Sequence, residues 1–102
     1  MERLPAVAGY FYPENKNELA NLIQKVFESE IGAAGKIDQD FPTTINGVVC
    51  PHAGIIFSGA VASWAYAVLS LTDPIDTFII IGPNHRGLGR RASLSSAESW
   101  IT

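Results

Sequence analysis

Two short apolar runs, Val48–Cys50 and Phe78–Ile81, flank a segment with helical apolar spacing, and this pattern constrains the chain more than any other feature. Neither run alternates with polar residues, as expected of strands covered on both faces. The segment between them repeats Ala60, Val61, Trp64, Ala65, Val68 and Leu69 at three- and four-residue intervals, which gives one apolar helix stripe. Residues 45–81 therefore read as a strand–helix–strand unit. Such a crossover makes its strands parallel and the connection right-handed. The expected class is α/β, the N-terminal part of a mixed or parallel sheet with flanking helices.

The remaining elements follow from local signals. Residues 1–13 carry Pro5, Gly9 and Pro13 without helical period, and read as an extended segment lying on the body. Asn15 and Glu18 have the spacing of a capping pair. Leu19, Leu22, Ile23, Val26 and Phe27 then form an apolar stripe, and Gly32 and Gly35 close the helix. Residues 36–44 read as a polar linker broken by Pro42. The first strand is expected from Ile45 to Cys50 and the second from Thr77 to Ile81. Ser58 is the candidate N-cap of the intervening helix, which is expected to end near Leu71. Residues 92–97 are a candidate third strand.

Composition narrows the class of function. The 102 residues fit one domain, and 47% hydrophobic against 17% charged residues is the balance of a folded chain. The net charge of −3 argues against nucleic acid, whose phosphates are bound through Lys and Arg. Arg86, Arg90 and Arg91 form the one local basic cluster, read as a solvated loop or as a contact for an anionic substrate. A single cysteine, Cys50, allows no internal disulfide and suits a buried thiol in a reducing compartment. No secretory signal or membrane-length apolar run is present, so a soluble cytoplasmic protein is expected.

The candidate chemistry lies with the two histidines. In parallel sheets, ligands bind outside the carboxyl ends of the strands. His52 follows the first expected strand and His85 the second. Neighbouring strands lie about 4.8 Å apart. Two imidazole nitrogens on one metal, each about 2.1 Å from it, need to come within roughly 3 Å of each other. Side chains at adjacent strand ends can lean together by that much. If the strands are not neighbours, a shared metal becomes difficult. Pro51 and Gly54 restrain the chain around His52, and Gly82 and Pro83 restrain it before His85. The plainer reading is that each imidazole caps a strand end with a hydrogen bond.

A metal normally needs a third protein ligand. Asp73 and Asp76 precede the second strand and fall at the opposite sheet edge. Cys50 sits inside the first strand, where a core role is expected, and Glu98 cannot be assigned. The third ligand is expected downstream of Thr102. Gly54, Ser58 and Gly59 lead into a helix N-terminus suited to anions. They lack the Walker Lys–Ser/Thr pair and the GxGxxG spacing, so no nucleotide is expected. Ser58, Asn84 and Arg86 are the candidate substrate contacts.

The string PHAGIIFSGAVASWAYAVL (51–69) resembles the PHAG-x-x-x-SG segment of the Memo family, known in prokaryotes as AmmeMemoRadiSam system protein B. FIIIGPNHRGLG (78–89), ASLSSAESWIT (92–102) and PAVAGYFYP (5–13) resemble its second histidine segment, following strand and N-terminal stretch. The resemblance implies a fold similar to that of class III extradiol dioxygenases. It also implies a non-haem iron or copper pocket whose first two ligands are His52 and His85. Family members are longer and supply a further histidine and a cysteine from later sequence, to which Cys50 does not correspond. Residues 1–102 then read as an N-terminal fragment of one Memo-like domain.

Two functions are expected of such a chain. One is a metal-dependent redox protein, an oxidoreductase in its full-length form. The other is a non-catalytic module that takes a peptide or an anion in the same cleft. Uncovered apolar strands also predict self-association.

Overall fold

The computed structural model describes residues 1–38, 40 and 44–102. It is an α/β chain with a strand, two helices and a second strand in sequence order. The chain divides into two compact units. One spans Val7–Pro74, and the other joins Met1–Ala6 to Ile75–Thr102.

The larger unit is a helix pair. Helix α1 covers Lys16–Glu28, and the Asn15 side chain caps it by accepting the N–H groups of Asn17 at 2.9 Å and Glu18 at 3.1 Å. This satisfies two of the donors that a helix N-terminus leaves open. Helix α2 covers Ile55–Leu69 and starts from Gly54, which gives no side-chain cap. Ser58 is therefore not the N-cap. It lies one turn inside α2, where its hydroxyl donates to the Ala53 carbonyl at 3.1 Å.

The helices pack through Gly59. A Cβ there would lie 3.1 Å from Val26 Cγ2 of α1 and 2.9 Å from Ile55 Cγ2 one turn earlier in α2, so a larger residue would force both side chains to give way. The link after α1 is bound to α2 by hydrogen bonds. Ser63 Oγ accepts the Ala33 N–H at 3.0 Å, and the Trp64 indole donates to the Ile31 carbonyl at 2.9 Å. Ser63 is 0% exposed and Ala33 2%. A Cβ on Gly32 would fall 2.2 Å from the carbonyl oxygens of both Val26 and Phe27, so the chain can fold back here only without a side chain. In the expected linker at 36–44, Gln39, Phe41, Pro42 and Thr43 lie outside the described residues.

Residues 7–12 form a closed turn. Gly9 N–H donates to the Tyr12 carbonyl at 2.8 Å, with Gly9 at φ +80°. The Phe11 carbonyl accepts the Ile55 N–H at 3.1 Å, which fixes this turn to the start of α2.

In the smaller unit, strand β1 (Glu2–Arg3) pairs in parallel with β2 (Ser99–Trp100), with Glu2 opposite Ser99 and Arg3 opposite Trp100. The Arg3 guanidinium stands 4.4 Å from the Trp100 ring centre, and the N-terminal ammonium meets Glu98 Oε2 at 2.7 Å. This is the parallel pairing of the class, but it uses other residues than expected. Residues 45–50 and 77–81 join no ladder, and neither do residues 92–97. A strand forms only where a neighbouring backbone takes its N–H and C=O groups. Among the described residues no backbone pairs with these runs, and many of their side chains stay open, with Val49 101% and Ile80 91% exposed.

Candidate functional site

His52 stands on the short segment that turns from Cys50 into α2. Pro51 fixes the backbone before it, and the buried Gly54 starts the helix after it. A cavity of about 550 Å³ opens beside this segment, within the range of small-molecule sites. Cys50, His52 and Ser58 line one side of it. Ile23, Val26 and Phe27 of α1 form an apolar wall, with Tyr66 contributed by α2. Cys50 is half-buried rather than buried in a core. Its thiol lies 3.6 Å from the Pro51 carbonyl, and residues 45–50 have no sheet neighbours to cover it.

The second group of expected site residues lies in the smaller unit. Asn84, His85 and Arg86 share one exposed turn. The Asn84 side-chain amide donates to the Leu88 carbonyl at 2.8 Å, and Gly87 N–H reaches the Asn84 carbonyl at 3.4 Å. Gly87 and Gly89 adopt φ +64° and +78°, backbone conformations that favour glycine. Asn84 therefore shapes the turn that carries His85. Arg86, Arg90 and Arg91 are all exposed.

The structure thus gathers Cys50, His52 and Ser58 at one cavity, and Asn84, His85 and Arg86 on one turn. Among the described residues, no group of three His, Cys, Asp or Glu side chains is placed to hold a metal ion. These residues therefore do not make a complete three-ligand centre. Sequence reasoning missed the contribution of α1 to the cavity. The stripe of Ile23, Val26 and Phe27 signalled a packed face, but periodicity does not say that part of this face borders a cavity.

An α/β chain with a histidine-bearing turn into a helix, and a second histidine on a glycine-rich turn, is the type of protein defined here. The profile of the family described as Memo-like protein matches residues 3–102, and this chain belongs to that family. It is 45% identical to a MEMO1 family protein of Methanopyrus kandleri, over 100% of this chain and 36% of the relative. Relatives from Thermoplasma acidophilum and Thermoplasma volcanium are 46% and 47% identical, each over 100% of this chain and 35% of their own length. The chain spans about a third of the length of the curated relatives it matches. No solved structure matches it. Among the described residues, no helix is long and apolar enough to cross a membrane.

Proposed function

We propose that this chain contributes two imidazole ligands, His52 and His85, to a non-haem iron or copper centre in a redox or dioxygenase-like Memo protein. The observation that carries this reading is the place of His52, on a restrained turn at the wall of a cavity large enough for a small substrate. Neutral imidazole suits both metals. The donor set of the described residues is incomplete, so the remaining ligand comes from family sequence outside them. Such a metal would supply one-electron chemistry. The residues of this chain would orient the substrate through Ser58, Asn84 and Arg86, while Ile23, Val26 and Phe27 keep water from one wall.

The test is elemental analysis of a full-length family protein carrying this segment. His52→Ala and His85→Ala should each lose most of the bound metal. Unchanged metal content in both variants would sink the reading.

The apolar wall of the cavity supports a second reading, a non-catalytic site for an apolar peptide side chain, with Arg86 meeting an anionic group. Peptide binding that survives loss of both histidines but not Arg86→Ala would favour it. We infer a reducing compartment such as the cytoplasm from the lone free cysteine.

A further inference from the structure

A second cavity of about 390 Å³ lies in the Val7–Pro74 unit, and its lining differs in chemistry from that of the first. Tyr10, Phe11 and Tyr12 from the turn and Phe57 from the first turn of α2 supply four aromatic rings. Glu14 and Glu18 supply two carboxylates, and among the described residues no Lys or Arg lines the space. Rings present negative faces to a cation, and carboxylates add net negative charge. The N-terminus of α1 is the opposing influence, but a helix end carries only about half a positive charge against two full negative ones. The balance favours a cation.

The walls are held in place before any ligand arrives. The turn is closed by the bond from Gly9 to Tyr12 and by those from Tyr10 and Phe11 to the Val7 carbonyl. It is tied to α2 by the bond from Ile55 to Phe11, while Asn15 fixes the start of α1. Glu14 Oε2 reaches back over this turn, 4.0 Å from where a Cβ of Gly9 would stand. Yet Tyr10 and Phe57 remain open to solvent, 88% and 81% exposed, beside a half-buried Tyr12. The hydrogen-bonded backbone fixes the positions from which these rings project, so the ordering cost of binding falls mainly on the side chains.

We propose that this cavity binds an organic cation of the alkylated ammonium class, with the rings of Tyr10, Tyr12 and Phe57 against its methyl groups and Glu14 and Glu18 balancing its charge. Neither His52 nor His85 lines this cavity. The rings favour a methylated ammonium over a small hydrated metal ion, because its charge is spread over an apolar surface that need not be desolvated at great cost.

The experiment is a titration of the full chain with choline, followed by amide NMR shifts at residues 9–14 and 54–57. Its neutral isostere 3,3-dimethyl-1-butanol is run in parallel at matched ionic strength. Saturable shifts are expected with choline, with binding of the isostere weaker by about tenfold, the size of a partly desolvated cation–π contact. Glu14→Gln with Glu18→Gln, and separately Tyr10→Ala, should each weaken choline severalfold. These side chains are exposed, so the amide spectrum of each variant should keep its dispersion. Equal binding of the isostere would show an apolar groove only and overturn the proposal. So would the absence of saturable shifts, or choline binding unchanged in both variants.

Discussion

Ser63 holds Ala33 across the helix pair. Its hydroxyl accepts the Ala33 N–H at 3.0 Å and donates to the Ala60 carbonyl at 2.6 Å, with Ser63 and Ala33 sealed from solvent. Ser63→Ala removes the acceptor of a buried backbone donor. Leaving such a group unmade costs about 1–3 kcal/mol. The urea midpoint of the helix pair should fall accordingly, with an unchanged slope.

Gly59→Ala tests the close approach of the helices. The added methyl would press on Val26 of α1 and on Ile55 one turn earlier in α2 at about 1–3 kcal/mol, of which about 1 kcal/mol is regained as helix propensity. Gly47→Ala, outside any helix, is the control for an added methyl with no neighbour, because nothing lies within 4 Å of its Cβ position. Its stability should stay within about 0.5 kcal/mol of the parent, as for substitutions away from packed sites. Equal effects of the two substitutions in thermal unfolding would contradict the packing described.

Asn15→Ala should cost about 1 kcal/mol, because two helix donors lose their acceptor. Asn15→Asp should retain most of that stability and benefit from the positive end of α1. Circular dichroism against temperature separates the two outcomes.

Glu98→Gln breaks the ion pair with the N-terminal ammonium, whose groups are largely exposed. Pairs of this kind contribute little and are screened by salt. No change in unfolding midpoint is expected at about 0.5 M salt, where the screening length is only a few ångströms. A clear loss of stability there would show that the pair acts in a less solvated setting.

The open apolar runs predict association. Val49 and Phe78–Ile81 present uncovered side chains beside backbone that joins no ladder. Sedimentation should show mass rising with concentration, and Ile80→Lys should lower it. A chain that stays monomeric at high concentration would refute this.

What the sequence revealed depends on the range of each interaction. Helix α1 was legible to its cap because Asn15 bonds within three residues. The start of α2 was harder to place. Ser58 has the chemistry of a cap, but Gly54 takes that position with no side chain to announce it. The α/β class could be read from the apolar runs, yet the residues that pair could not. Glu2 and Ser99 stand opposite each other from the two ends of the chain, and nothing local to either marks the match. The restrained turn that carries His52 was legible because Pro51 and Gly54 bracket it. The aromatic cavity went unseen, since GYFYP reads as an extended stretch until Phe57 is brought beside it.

The pairing of Glu2–Arg3 with Ser99–Trp100 sets an order of events during translation. Ribosomes add about 5–20 residues per second, and domains fold largely as they emerge. The helix pair, contained within residues 7–74, can form while later codons are still being read. Residues 2 and 3 must wait unpaired, for about 5–20 seconds at those rates, until Trp100 has left the exit tunnel. The residues of β1 thus find their partners only after the whole helix pair has been made, and for that interval the nascent chain presents them to chaperones.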